Sequence, residues 1–266
     1  MKYIIDHDYH IHSHLSICSN DKEQTPERML EYAATHSLKK ICITDHFWDD
    51  KIPGASDFYA PQNLDRIKKS LPLPKRDGIE FYFGCEAELA KNNLLGITRE
   101  TIDMLDFVII PTTHLHMNGF TIKENPTPAE RAEVYVEKLD GLLHMDLPFH
   151  KIGIAHPLCG LIIPGGTIDR VVSLISDDTF KRLFALAAKK GAGIEINQSD
   201  FNFAKKTEEE IEQIRRVYGF AKDAGCKFYL GSDAHHPASL DSAIPIFENA
   251  ISFLGITEDD KFRPFG

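Results

Sequence analysis

Seven short apolar runs recur along this chain, and each leads into residues able to hold a metal ion. They occupy 3–9, 40–44, 80–85, 107–111, 151–155, 193–196 and 227–230, with Ile, Val, Phe and Tyr prominent. Runs of this length and composition predict strands buried on both faces, as in a parallel sheet. The first run is the weakest, because Asp6, His7 and Asp8 interrupt it.

Helical segments lie between the runs. Thr25-Pro26-Glu27 and Thr127-Pro128-Ala129-Glu130 each supply an N-cap, a proline at the first helical position and an early acid. The segment 177–190 carries Phe180, Leu183, Phe184 and Ala187 at helical spacing and stops at Gly191. Further helices are expected over 207–224 and 240–254. Strand alternating with helix predicts parallel strands joined by helical crossovers. An open doubly wound sheet has the same alternation. A barrel is preferred because its strand carboxyl ends converge on one site, and here those ends are polar. No repeat or linker-like tract divides the chain, so one domain over 1–266 is expected.

The strand ends, in order, carry Asp8-Tyr9-His10-Ile11-His12, Thr44-Asp45-His46, Gly84-Cys85-Glu86 and Thr112-Thr113-His114-Leu115-His116. Ala155-His156-Pro157, Glu195-Ile196-Asn197 and Gly231-Ser232-Asp233-Ala234-His235 complete the set. Imidazole and carboxylate together suit Zn²⁺, Mn²⁺ or Fe²⁺. In an extended segment His10 and His12 point to one face, as do Asp233 and His235. One ion needs three or four protein ligands, so a set this large predicts two or three ions, with Glu86 able to bridge two of them. A single His or Asp at a strand end is more often a satisfied polar group; convergence of all seven ends is what favours ligation. His14, His116 and His236 adjoin stronger candidates, whereas His36, His144 and His150 read as structural. Asp45 is expected to orient His46 or to cap a helix.

Charge and cysteine usage exclude several classes. A net charge of −10 disfavours a nucleic-acid binder, which needs a basic footprint. No run approaches the ~18 apolar residues needed to span a bilayer. The first residues carry charge and histidine too early for a signal peptide, so a cytoplasmic location is expected. Five cysteines without repeated short spacing predict no disulfide framework. Substrate contacts are expected from Asn197 and from the loop 47–61, where Trp48, Phe58 and Tyr59 could wall a pocket; ordinary aromatic packing is the alternative there. Lys123, Arg170, Lys205 and Lys206 lie in strand-end loops as candidate phosphate cations, and nothing singles one out.

At these residues the sequence resembles the polymerase-and-histidinol-phosphatase (PHP) superfamily. Residues 8–13, 43–46 and 84–88 resemble its first three motifs, and His114, 155–157, 195–197 and 231–235 follow in order. The resemblance implies a distorted (β/α)7 TIM-like barrel holding three metal ions. It implies one ion on His10, His12, Glu86 and Asp233, a second on His46 and His235, and a third on Glu86, His114 and His156. Many family members place His or Asp where this chain has Cys18, six residues after His12. Cys18, Asp21 or water would then complete the second site. The activity implied is hydrolysis of a small phosphomonoester by a metal-bound hydroxide, in a stand-alone branch resembling histidinol phosphatases of histidine biosynthesis. Glu86, His156 and His235 are the residues expected to carry it, with His235 or a water protonating the leaving alkoxide. A metal-dependent C–N hydrolase and a silent metal-binding regulatory domain are the alternatives. Oligomeric state is left open.

Overall fold

The computed structural model describes residues 1–265. Its strands are β1 (His7–Ile11), β2 (Lys40–Ile43), β3 (His46–Phe47), β4 (Glu80–Ala87), β5 (Phe107–Pro111), β6 (Ile152–Ala155), β7 (Gly193–Asn197) and β8 (Lys227–Gly231). All pair in parallel, in the order β1-β2-β4-β5-β6-β7-β8, and β3 extends the ladder beside β4. The last strand returns to the first: Asp233 N donates to His10 O at 2.7 Å and His12 N to Ala234 O at 3.1 Å. The result is a nearly closed barrel of seven parallel strands, the expected distorted (β/α)7 form.

The helices are α1 (Pro26–Thr35), α2 (Leu64–Ile67), α3 (Arg99–Met104), α4 (Pro128–His144), α5 (Asp169–Val172), α6 (Asp177–Lys190), α7 (Gln198–Phe201), α8 (Glu208–Asp223) and α9 (Pro237–Leu254). The caps read from sequence form as hydrogen bonds. Thr25 accepts from Arg28 N, and Thr127 and Glu130 form a reciprocal capping box. Gly191 ends α6 at φ 78°, in the left-handed region that favours glycine. Phe180, Leu183, Phe184 and Ala187 then bury the inward face of α6 in the layer between helices and barrel.

Inside the barrel, Tyr9, Phe107, Ile109, Ala155 and Tyr229 form a separate apolar layer. The C-terminal tail closes its lower end, with Phe262 N donating to Phe228 O and the Phe265 ring stacked on Tyr82 at 3.6 Å. The site must therefore lie at the other end, beyond the strand carboxyl termini. No helix among the described residues is long and apolar enough to cross a membrane.

Two expectations need correction. The first strand is His7–Ile11, not 3–9. Hydrophobicity pointed to residues 3–5, but Ile4 is exposed and Tyr3 packs beneath the barrel, its hydroxyl donating to Phe228 O. The true strand is polar because its far end belongs to the site. The second correction is β3, a two-residue strand that Thr44 and Asp45 separate from β2.

Candidate metal centre

Pairing of β1 with β2 shifts register between Asp8 and Ile11. This irregularity lets Tyr9 face the interior layer while His10 and His12, further along, also turn inward. Their Nε2 atoms lie 2.9 Å apart. Asp233 Oδ1 is 3.4 Å from His10 Nε2 and 3.1 Å from His12 Nε2. Asp233 and His156 have positive φ, 53° and 24°, a costly conformation for residues with a Cβ, found where a site requires it.

Glu86, at the end of β4, stands at the middle with its side chain buried. Its Oε2 faces His46 Nδ1 at 2.7 Å, His12 Nε2 at 3.5 Å and His10 Nε2 at 3.9 Å. Its Oε1 faces His156 Nε2 at 3.0 Å and His114 Nε2 at 3.8 Å. Ligand atoms thus converge in three groups: His10, His12 and Glu86; His12, His46 and His235; Glu86, His114 and His156. Glu86 Oε2 and His46 Nδ1 are both buried, and apart from each other at 2.7 Å neither has a hydrogen-bond partner. Buried polar atoms left so are rare, and lone pairs converging from imidazole and carboxylate fit divalent cations.

Outer hydrogen bonds aim the rings. His10 Nδ1 donates to Glu195 at 2.7 Å, His114 Nδ1 to Glu88 at 2.7 Å and His156 Nδ1 to Thr113 Oγ1 at 2.8 Å. His12 Nδ1 donates to Ser16 Oγ at 3.0 Å, which in turn donates to Asp45. His235 Nδ1 donates to the Asp233 carbonyl at 2.8 Å. Each bond orients its ring so that Nε2 is the nitrogen left for the cluster.

Charge is balanced within the cluster. Burial acts to raise Glu86 and Asp233, but the surrounding imidazoles hold both well below the carboxylate range. Burial disfavours the His10 cation, yet Glu195 and Asp233 lift it to about 9. Burial and the neighbouring His235 and His46 push His12 well down. Burial would raise the Cys18 thiol; hydrogen bonds with His235 and His46 override it and bring it to about 6.

The structure thus brings His10, His12, His46, Glu86, His114, His156, Asp233 and His235 together. Cys18 reaches the same cavity beside His46 and His235. Asp21 does not: its carboxylate pairs with His236 Nε2 at 2.8 Å. The two expected substrate contacts are displaced. Trp48 is buried, donates its indole N–H to Ile52 O, and packs on Tyr59, Ala90 and Phe120 in place of walling the cavity. Asn197 is fully buried and caps α7 by accepting from Ser199 N. Asp45 neither orients His46 directly nor caps a helix; it binds Ser13 and Ser16. Glu88 and Glu195 were visible in the motifs without an assigned role. Spacing carried part of the signal, since Glu88 shares the inward face with Glu86, two residues away. Ser16 and Thr113 carried none.

A relative named Probable phosphatase, from Thermoanaerobacter pseudethanolicus, is 27% identical over 263 residues, 97% of this chain and 89% of that protein. One named Probable histidinol-phosphatase, from Deinococcus radiodurans, is 27% identical over 242 residues, 86% of each chain. The fold resembles a histidinol phosphate phosphatase from Lactococcus lactis subsp. lactis, crystallised with zinc, L-histidinol and phosphate. That likeness has a TM-score of 0.58 at 21% identity, covering 92% of this chain and 93% of that one. The PHP domain family matches residues 8–199. This chain belongs to the PHP domain family.

Proposed function

We propose that this chain is a phosphatase that hydrolyses a small phosphomonoester with two or three divalent ions, Zn²⁺, Mn²⁺ or Fe²⁺, and that residues 1–266 act as one catalytic unit. The observation that carries this reading is Glu86, whose two oxygens face two separate sets of imidazoles. Bound there, the ions would lower the pKa of a water and neutralise phosphoryl oxygens. The chain's residues divide that work. Glu86 serves two sites at once. His10, His12 and Asp233 would hold an ion on one side, His114 and His156 on the other. His46, His235 and Cys18 surround the position nearest the opening. His235 is the most exposed of these imidazoles, with 29% of its side chain accessible. Its Nδ1 is committed to the Asp233 carbonyl. Nε2 is therefore the atom that holds either a ligand bond or a proton for the leaving alkoxide.

The names of the relatives make histidinol phosphate the first ester to test. The net charge of −10 favours a small metabolite over nucleic acid. The test is metal analysis of the purified protein beside a screen for phosphate release. Release should vanish on chelation and return with one of the three ions. Amide hydrolysis without phosphate release would favour a C–N hydrolase. No turnover of either class by fully metallated protein would favour a silent regulatory domain.

A further inference from the structure

The cavity over the metal centre has a volume of about 420 Å³. Its floor is the ligand cluster. Its walls are Phe58, Tyr59, His116, Met117 and Leu161. They come from separate loops, following β3, β5 and β6, so the apolar lining is assembled across the barrel mouth. The aromatic part is tied to the cluster by contacts. Tyr59 donates its hydroxyl to Glu88 at 2.7 Å, Phe58 packs edge-on against Tyr59 at 5.0 Å, and Phe58 also meets the His46 ring at 5.7 Å. The same lining includes Leu161, a large apolar side chain left 38% exposed, and the half-buried and adaptable Met117.

Among the described residues the lining contains no lysine or arginine, and its carboxylates, Glu86 and Asp233, both belong to the floor. Lys205 and Lys206 line a different cavity, beyond Asp233. An ammonium or carboxylate on the substrate would thus meet no counter-charge in these walls, and whatever hydration it lost against them would be costly. An aryl or branched alkyl group would bury apolar surface against Phe58, Met117 and Leu161.

Building on the phosphatase reading, we propose that the cavity selects phosphomonoesters whose leaving alcohol is uncharged and apolar, an arylalkyl or branched alkyl group. Phe58 and Leu161 are the specificity-determining residues. The phosphoryl charge is met by the floor and the tail by the walls. This ranks apolar esters above amino-alcohol esters, histidinol phosphate among them.

The test compares 2-phenylethylphosphonate with 2-aminoethylphosphonate, binding to the zinc-loaded full chain by calorimetry. Both offer the same phosphonate to the floor, and neither requires turnover. The phenylethyl compound should bind at least about tenfold more tightly, ~1.4 kcal/mol. Leu161→Ala and Phe58→Ala should each weaken it several-fold while shifting the aminoethyl compound by less than twofold. Equal affinities, the reverse order, or equal losses for both compounds in the variants would overturn the proposal. Phosphate release from 2-phenylethyl phosphate and phosphoethanolamine, run in parallel, separates the two readings. Tight apolar binding without release from either ester would sink the phosphatase reading and leave the specificity standing. Release from both at equal kcat/KM, with equal phosphonate affinities, would do the opposite.

Discussion

Glu195 accepts the Nδ1 hydrogen of His10 at 2.7 Å, with both side chains fully buried at the centre of the barrel. The other Glu195 oxygen accepts from the backbone N–H of His156. One carboxylate on β7 thereby sets the ends of β1 and β6, which carry candidate ligands from two different groups of the cluster. The contact also explains Gly231: a Cβ there would lie 1.8 Å from Glu195 Oε1 and 2.7 Å from His10 Cβ. Only glycine lets β8 pass this pair.

Glu195→Gln should therefore weaken metal binding without unfolding the barrel. The amide keeps the shape but turns an N–H toward one of two donors. Loss of an outer partner of a ligating histidine typically costs roughly 10–100-fold in affinity. Competition with a chromophoric chelator measures it. Unchanged affinity would show that Glu195 only fills space.

Glu86→Ala should remove more than one metal equivalent per chain, because its two oxygens face different imidazole groups. Elemental analysis of the purified variant decides. A loss of a single equivalent would refute the bridge. His156→Ala, which removes one ligand, should lower turnover by more than the ~100-fold upper range for outer partners. Its melting temperature should stay close to that of the parent protein, since strand-end residues serve the site more than the core.

Cys18→Ser tests whether sulfur completes the second site. The thiol lies against His46 and His235 and is brought down to about 6, so a thiolate is available near neutral pH. Cobalt-loaded parent protein should show a near-ultraviolet sulfur-to-cobalt absorption band, and the variant should lose it. A parent protein without the band would return the position to water.

The parts of the fold legible in the sequence were those governed by local chemistry. The start signals at Thr25 and Thr127 and the Gly191 stop depend on backbone groups within a few residues, and α1, α4 and α6 begin or end there. The candidate site was legible because each candidate ligand sits at or just beyond a strand end, where topology alone brings them together. Trp48 and Asn197 were misplaced for the opposite reason. Whether an indole faces a cavity or the packing behind Tyr59 depends on Ala90 and Phe120, distant in sequence. Asn197 stands at a strand end like the ligands, but the short helix α7 begins beside it and takes its side chain as a cap. The β1 offset has a similar cause: a strand whose far end forms a polar site looks less like a strand than the apolar residues before it.

Lys138 supplies a prediction that lies outside the ligand cluster. It is a buried lysine on α4 whose ammonium donates to the carbonyls of Leu89 and Ala90, just after β4. Burial holds it down to about 8, against a smaller upward pull from Glu88. The unfolded chain keeps this proton until about pH 10.4. Between those values the unfolded state binds more protons than the folded one, so stability should rise with pH through the window. Below about 8 both states are protonated, and the folded state bears the full desolvation cost. The span corresponds to a change on the order of 3 kcal/mol. Lys138→Met removes the titration, so the stability of the parent relative to the variant should climb from pH 7.5 to 9.5. Urea unfolding of zinc-loaded parent and variant at several pH values measures this difference directly and cancels groups common to both. A difference that stays constant across the window would mean that Lys138 keeps its charge in the folded barrel, held by the two carbonyls and Glu88 despite its burial.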